Sequence, residues 1–401
     1  MVATVSQTQV YAPAPAEGTR AQTLTLLALA LGSFSIGTSE FASMGIIQLF
    51  SDSLGISVPE ATNAITAYAF GVVIGAPLVT LAAARLNRRT LLILLMGLFI
   101  LGNVLSAVAS NLGLLMLARF ISGLPQGAYF GAGAVVASYI VGPGQAGKAF
   151  AIVMTGLTVA TIVGSPLATF LGQTIGWRET YLAVAAFSTL ALGAIWQWVP
   201  RTKALHGVSV IQEVSALRKG RVWGVMLVAA VGVASIFAVY TFIAPLVTDV
   251  VKLAPEMIPT ALALFGIGMT AGNIYGGRLA DRYPARGIAI GFGSALLILA
   301  ALAVSGANPW VFFPAMFGVG AAMMAAIPTI QVRLTRFAPE APSLMGAMNL
   351  ASLNVANAIG AWAGSVTIAA GYGLLSAAWA GFAVTSVGLV IFGLTLLQRR
   401  R

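Results

Sequence analysis

The strongest constraint on the fold of this chain is a series of long apolar runs that recurs along most of its 401 residues. A helix rises 1.5 Å per residue, so about 20 apolar residues cross the hydrocarbon of a bilayer. Runs of that length occur twelve times, and the loops between them are short except for residues 200–222. The runs lie near residues 23–48, 62–84, 90–109, 113–140, 149–174, 180–199, 223–247, 258–279, 286–305, 309–331, 344–370 and 374–397. The pattern predicts an all-α membrane protein with twelve transmembrane helices.

The composition supports this interpretation, because 59% of the residues are hydrophobic and only 8% are charged. A soluble domain is roughly 45 to 50% apolar and about 25% charged. Cysteine is absent, which excludes disulfides and a thiol nucleophile, and the one histidine, His206, lies in the long central loop. We therefore predict neither a metal site nor a catalytic centre, and an intramembrane enzyme is disfavoured.

The distribution of positive charge predicts the orientation, since cytoplasmic loops of membrane proteins collect Lys and Arg. If both termini are cytoplasmic, eighteen of the 21 basic residues fall in cytoplasmic segments, and only Arg178 and Lys252 fall in outer loops. The net charge of +11 is then a topology signal and not a sign of nucleic-acid binding. We predict a multi-pass protein of the bacterial inner membrane with its N- and C-termini in the cytoplasm.

The basic central loop divides the chain into two six-helix halves that are related by a weak repeat. Arg85 corresponds to Arg282, 197 positions later, and Gly164 corresponds to Gly360, 196 positions later. Two parallel halves with a solute site between them are a common plan in transporters, and the alternative is that these matches arise by chance. The predicted organisation is a disordered cytoplasmic tail at 1–21, halves at 22–199 and 223–401, and a central loop at 200–222.

Two ionisable residues, Glu40 and Arg119, lie well inside apolar runs. Burying either one in a bilayer costs at least roughly 2.5 to 3.5 kcal/mol, so each needs a partner or a water-filled cavity. Counted along their helices, both lie about 10 to 14 Å below the outer surface. We predict that Glu40 carries a proton and that Arg119 is its electrostatic partner. The alternatives are that Arg119 extends to the outer headgroups and that Glu40 stays protonated or makes a packing contact.

Several uncharged polar side chains also fall inside the predicted helices, where neighbouring helices or a solute must satisfy their hydrogen bonds. For any one of them, a structural role is the more common outcome. Together they predict a cavity that recognises a solute with hydroxyl, amide or ring groups. The predicted cavity residues are Thr38, Tyr68, Gln126, Tyr129, Tyr240, Gln331, Asn354 and Asn357.

Glycine recurs at every fourth position over residues 123–131 and again over residues 268–276. Such ridges of small residues permit close contact between membrane helices, so packing is their predicted role. In the fifth run, Gly164 and Pro166 flank Ser165 and are predicted to form a hinge, because proline removes a backbone hydrogen bond and kinks a helix. No glycine-rich phosphate loop follows a strand pattern, so an ATP-driven pump is not predicted.

Three short motifs carry a family resemblance. Residues 37–41 (GTSEF) and Gly45 lie in the first run, residues 176–178 (GWR) follow the fifth, and residues 277–282 (GRLADR) follow the eighth. Together they resemble motifs of the major facilitator superfamily, in particular its bacterial drug:proton antiporter group, which includes AraJ-like, YdhP-like and sugar-efflux carriers. The resemblance covers nearly the whole chain and implies a transporter of two six-helix halves.

The same resemblance implies that acidic and basic side chains lock the helices together on the cytoplasmic side. The predicted gate residues are Arg85, Arg88, Arg89, Asp281 and Arg282. The alternative is that these are solvated loop charges that only set the orientation. Arg119 matches the fourth-helix arginine that is associated with proton coupling in the family. Ala84 stands where the loop motif usually has aspartate, so we expect the lock of the first half to be weak or borrowed from the second half.

The sequence therefore predicts a proton-coupled secondary transporter that exports small, amphiphilic organic molecules of the antibiotic type by alternating access. It would act as a monomer in the lipid bilayer, with a small-molecule substrate and protons as its partners. The proton gradient is its energy source, and no cofactor is expected. Export of a sugar, nucleoside or amino acid by the same fold is the main alternative. Proton symport into the cell and a non-transporting sensor are further alternatives.

Overall fold

The computed structural model describes residues 19–56, 58–207, 209–283 and 286–397. Within these ranges the chain is helical apart from turns and short loops, and it contains no β-strand. The predicted tail at 1–21 lies outside the described residues except for its last three, which begin the first helix. The predicted basic C-terminus, residues 399–401, lies outside them as well.

Twelve helices of the described chain have at least the 20 residues that a bilayer crossing needs. They are α1 (Thr19–Gly45), α2 (Val58–Ala82), α3 (Arg88–Ala107), α4 (Leu112–Val141), α5 (Ala146–Ile175), α6 (Trp177–Trp198), α7 (Gly220–Tyr240), α8 (Ile258–Arg282), α9 (Arg286–Ser305), α10 (Pro309–Phe337), α11 (Pro342–Tyr372) and α12 (Ser376–Leu397). Eleven of these segments are also apolar enough to span by composition alone. The twelfth, the 30-residue α4, carries Arg119 and Gln126 and is mostly buried in the bundle. The predicted fold class is confirmed.

The loops at one end of the bundle carry most of the described positive charge, and we call it the basic end. The α2–α3, α4–α5, α8–α9 and α10–α11 loops lie at this end, and so does the segment between α6 and α7. That segment holds a short amphipathic helix, Val210–Leu217, which we call the linker helix. Ser209 begins the linker helix with a capping box, in which its side chain and that of Gln212 satisfy two backbone N–H groups.

The two halves repeat one packing arrangement at an offset of 197 residues. A Cβ atom at Gly71 would lie 2.3 Å from the carbonyl oxygen of Phe120, and one at Gly268 would lie 2.1 Å from that of Phe317. Only glycine permits such approach, so the backbones of α2 and α4 touch in the first half and those of α8 and α10 touch in the second. Gly268 belongs to the second glycine ridge. In the first ridge, a Cβ atom at Gly123 would lie 2.2 Å from the carbonyl oxygen of Tyr68 on α2, so both ridges have the packing role that their spacing predicts.

The halves are closed against each other at the basic end. On α4, a Cβ atom at Gly131 would lie 2.1 Å from the carbonyl oxygen of Ser343 on α11. On α5, a Cβ atom at Gly147 would lie 2.6 Å from the Cβ of Ala280 on α8. These contacts leave no passage between the halves at these two crossings.

The predicted hinge coincides with an irregular stretch of α5. A single π-helical turn runs from Ala160 to Gly164, and Pro166 lies in the first turn of the α-helix that follows. Such a turn breaks the regular hydrogen-bond ladder and is a common site of bending. Gly164 is also confined, because a Cβ atom there would lie 2.1 Å from Oγ1 of Thr38 on α1.

Candidate functional site

A cavity lies at the centre of the bundle, between the two halves. It is lined by Glu40, Phe41, Gln126, Met154, Leu157, Thr161, Val233, Ile236, Phe237, Tyr240, Phe265, Met269, Met324, Ile327, Leu350, Leu353, Asn354 and Asn357. These side chains come from α1, α4, α5, α7, α8, α10 and α11. The cavity measures about 50 Å³. A water molecule needs roughly 10 to 15 Å³, so the space holds a few waters and is too small for an organic solute.

Glu40 is the one carboxylate among the described residues that line this cavity. Its Oε2 accepts a hydrogen bond of 2.9 Å from Nε2 of Gln126 on α4. The amide oxygen of Gln126 is buried and has no hydrogen-bond partner in the described part of the chain. The pair therefore presents an acid and an unused acceptor to the same small space, where a proton, a water molecule or a solute can bind.

Arg119 lies fully buried behind Glu40 and not in the cavity lining. Its two terminal nitrogens donate to Oγ of Ser39 at 2.9 Å and to the Ser39 carbonyl oxygen at 3.1 Å. The guanidinium group also stacks on the ring of Tyr68, 4.4 Å from its centroid. Among the described contacts no ion pair joins Arg119 to Glu40. Arg119 is instead fixed to the residue that precedes Glu40, and its burial excludes the alternative in which it reaches the headgroups.

Two further hydrogen bonds hold this arrangement in place. The hydroxyl group of Ser39 donates to Oδ1 of Asn103 on α3 at 2.6 Å, while Nδ2 of Asn103 donates to the Phe99 carbonyl oxygen at 2.9 Å. The chain from Arg119 through Ser39 to Asn103 joins α4, α1 and α3. It orients the turn of α1 on which Glu40 lies.

The structure brings four of the eight predicted cavity residues together. Gln126, Tyr240, Asn354 and Asn357 line the cavity. The other four, Thr38, Tyr68, Tyr129 and Gln331, are buried elsewhere and do not line it.

The four residues outside the cavity make contacts elsewhere in the bundle. Tyr68 packs against Arg119 and Thr38 packs against Gly164. The Tyr129 hydroxyl donates to the Leu29 carbonyl oxygen at 2.9 Å, which ties α4 to α1. Gln331 accepts a hydrogen bond of 3.0 Å from Asn349. In this closed structure these four residues contact neighbouring helices instead of the cavity, as polar groups in a membrane bundle often do.

Most of the cavity wall consists of residues that the sequence did not single out. Aromatic side chains contribute much of it. The rings of Phe41 and Tyr240 meet edge to face with centroids 6.4 Å apart, and those of Tyr240 and Phe265 are tilted with centroids 5.3 Å apart. Three methionines, Met154, Met269 and Met324, add flexible apolar surface. In a chain that is apolar throughout, such residues give no signal before the helices are packed.

One carboxylate, Asp281, joins the two halves at the basic end. Asp281, at the end of α8, accepts backbone N–H groups from Gly147 at 2.8 Å and from Lys148 at 3.0 Å. These donors are in the first turn of α5, where the helix dipole favours a negative charge. Asp281 therefore joins the second half to the first.

The other predicted gate residues differ in burial and in their contacts. Arg88 is buried and forms an ion pair of 3.3 Å with Glu213 of the linker helix. Arg89 donates to the carbonyl oxygen of Trp196 and lines a separate pocket. Within the described chain, Arg85 and Arg282 are exposed and make no ion pair.

Glu213 occupies the position that a missing aspartate would take. Asp281 corresponds to Ala84 at the 197-residue offset, and Gly147 corresponds to Leu344 at the start of α11. The backbone N–H of Leu344 interacts favourably with the Glu213 carboxylate. This contact falls short of full hydrogen-bond geometry, since Oε2 of Glu213 has no well-formed partner. The sequence left open a weak first-half lock or one borrowed from the second half. In the structure the carboxylate near Leu344 comes from the linker helix, and its contact with that backbone is incomplete.

Burial dominates the electrostatics of Glu213. Its removal from water raises the pKa of this carboxyl group to about 7, against the opposing attraction of Arg88. The group therefore changes its charge near neutral pH. Elsewhere in the described residues, no cluster of three or more His, Asp and Glu side chains is placed to hold a metal ion.

A bundle of twelve apolar helices around a central cavity with one acidic side chain defines a polytopic membrane transporter. The sequence profile of the Major Facilitator Superfamily matches residues 29–361. The chain belongs to this superfamily, whose members are transporters of small molecules and not enzymes.

Relatives and solved structures agree with this assignment. The chain is 39% identical to the inner membrane transport protein YdhP of Escherichia coli K12, over 93% of this chain and 94% of the relative. It is 32% identical to a chloramphenicol resistance protein of Streptomyces lividans, over 92% and 95% of the two chains. The crystal structure of the transporter FucP in its outward conformation superposes with a TM-score of 0.73 at 15% identity, covering 93% of this chain and 98% of FucP, and supports the fold.

Proposed function

We propose that this protein is a proton-coupled exporter of small, amphiphilic organic molecules in the bacterial inner membrane. The observation that carries the proposal is the single carboxylate, Glu40, on the wall of an otherwise largely apolar cavity. A lone acid that faces neutral Gln126 at 2.9 Å gains or loses a proton without breaking an ion pair. Glu40 is thus the proton carrier in this proposal, and the proton gradient is the energy source.

Arg119 acts on this carrier from a fixed position. Its hydrogen bonds to Ser39 hold the charge one residue from Glu40, and it cannot move away without losing two charge-assisted bonds. A nearby positive charge favours ionised Glu40, whereas the apolar wall favours the protonated form. Opening the cavity to water or filling it with substrate shifts this balance, which couples proton release to substrate binding.

The cavity wall supports an amphiphilic substrate. Phenylalanine and methionine side chains offer broad apolar contact, and Gln126, Asn354, Asn357 and Tyr240 offer a few directed hydrogen bonds. The name of the chloramphenicol resistance relative agrees with such a substrate. A sugar carries hydroxyl groups over its whole surface, and this wall satisfies few of them. Export of a sugar or another polar metabolite remains the second candidate, supported by the two asparagines of α11.

Transport in this proposal requires the two halves to rock about the cavity. At about 50 Å³ the described cavity is too small for substrate, so the halves must separate before it binds. In this proposal the basic end, where α1 begins and α12 ends, faces the cytoplasm, as the positive-inside rule predicts. Asp281, Arg88 and Glu213 then form the closed cytoplasmic gate of a monomeric carrier.

A liposome assay tests the proposal. Purified protein is reconstituted with a pH-sensitive dye inside, a proton gradient is imposed, and antibiotics, sugars, nucleosides and amino acids are added one at a time. We expect an amphiphilic compound to dissipate the gradient with wild-type protein and not with Glu40→Gln. Glu256→Gln serves as the matched control, since Glu256 is exposed and does not line the cavity. Equal proton movement by wild type and Glu40→Gln disproves the role of Glu40, and movement driven only by sugars supports the second candidate.

A further inference from the structure

A second pocket lies on the outer surface of the first half at the basic end. It is lined by Asn87, Arg89, Thr90, Ile93, Trp196, Arg201, Thr202, Lys203 and His206, and measures about 490 Å³. The start of α3, the end of α6 and the residues that follow α6 form its walls. It is separate from the central cavity and shares no lining residue with it.

The pocket is strongly basic and lacks an internal counter-charge. Arg89, Arg201 and Lys203 face it, and no carboxylate is among the described residues that line it. Like charges held together in one pocket repel each other unless an anion lies between them. An exposed loop would suffice to set membrane orientation, so the topology of the chain does not require the burial of Arg89.

Arg89 is the most buried of the basic residues that line this pocket. Arg89 is only 7% exposed, and its Nε has no hydrogen-bond partner among the described residues. One terminal nitrogen of Arg89 donates to the Trp196 carbonyl oxygen. No carboxylate of the described residues forms an ion pair with the guanidinium group. Arginine presents several donors in a fixed plane that fits phosphate oxygens. Asn87 fixes the surrounding backbone by donating to the Thr202 carbonyl oxygen at 2.8 Å.

The position of the pocket favours a lipid as the source of the phosphate. Trp196 is 56% exposed at the end of α6, where aromatic side chains of membrane proteins lie at headgroup level. Ile93, one turn into α3, adds an apolar wall beside the basic side chains. A headgroup can therefore enter from the bilayer while its acyl chains stay against the helices. Basic pockets between membrane helices bind phospholipid headgroups in this way.

We propose that this pocket binds the phosphate-bearing headgroup of an anionic phospholipid. Native mass spectrometry of delipidated protein, titrated with phosphatidylglycerol or phosphatidylcholine, tests the proposal. We expect wild type to bind phosphatidylglycerol roughly tenfold more tightly, since each basic residue near an anionic headgroup adds to affinity. Arg201→Gln with Lys203→Gln should remove that preference, because both side chains line the pocket and are exposed enough to replace without loss of folding.

A matched control separates the pocket from general surface charge. Arg218→Gln with Arg221→Gln removes the same charge from exposed positions outside the pocket, and it should leave the preference intact. Equal loss in both double variants, or no loss in the pocket variant, overturns the proposal. Inorganic phosphate is added in a further arm. If it displaces phosphatidylglycerol at similar concentrations, the pocket binds free phosphate and the lipid source is rejected.

Discussion

Replacing Glu213 with glutamine should make opening of the basic end far less sensitive to pH. In the closed structure this carboxyl group is fully buried against Arg88 and near the backbone N–H of Leu344. When the halves separate at this end, we expect the start of α11 to leave the linker helix and water to reach Glu213. The carboxyl group then returns toward its ordinary pKa.

The size of the effect follows from the two pKa values. Burial raises the pKa of Glu213 to about 7, from an ordinary value of 4.5. The closed state therefore binds the proton more tightly, so lowering the pH favours closing and raising it through 7 favours opening. Between pH 8 and pH 6 the ratio of closed to open protein should rise about tenfold, or about 1.3 kcal/mol, from this group alone. Glutamine does not titrate and should remove that contribution.

Spin-label distances measure the opening directly. The chain contains no cysteine, so single cysteines can be introduced without removing others. Pro143 and Arg336 are exposed at the basic end, one in each half, and are suitable label sites. The long-distance population should grow between pH 6 and pH 8 in wild type and in Glu256→Gln, and much less in Glu213→Gln. An identical pH response in wild type and Glu213→Gln would refute the reasoning.

Two further substitutions test the packing around the site and the gate. Arg119→Lys keeps the charge but loses the paired hydrogen bonds to Ser39, so proton-coupled transport in liposomes should fall at least about tenfold; an unchanged rate would contradict the positioning role. Gly131→Ala forces a Cβ atom toward the Ser343 carbonyl oxygen, at about 1 to 3 kcal/mol, and should lengthen the same spin-label distance. Gly97→Ala is its control, since open space surrounds Gly97, and equal distances in the two variants would contradict the prediction.

The helices themselves were predictable, because each one depends mainly on local apolar length. The predicted run at 113–140 became Leu112–Val141, and the run at 309–331 became part of Pro309–Phe337. Glu40 and Arg119 could also be singled out, since an ionisable group in an apolar run carries a cost wherever it packs. Their contacts could not be predicted, because the acceptors that fix Arg119 are the oxygens of Ser39, on a helix 80 residues away in the sequence.

The residues of the gate at the basic end also show that contacts between distant segments cannot be predicted from local sequence. The resemblance to a family loop motif identified Asp281 and marked Ala84 as a departure from it, and both observations depend on short stretches of sequence. That Glu213 supplies the carboxylate near Leu344 depends on how a linker helix folds back against α3 and α11, across more than a hundred residues. Polar residues such as Tyr129 and Gln331 look alike in sequence whether they face a cavity or a neighbouring helix.

Hydrophobic length and charge distribution thus determined the membrane class, the number of helices and the expected orientation, since a bilayer acts on each segment separately. Tertiary packing alone decided which polar side chains meet in the cavity, what holds Arg119, and which carboxylate closes the first-half gate. Those outcomes depend on side chains from distant segments meeting at hydrogen-bonding distance, and the spacing of residues along one helix does not encode them.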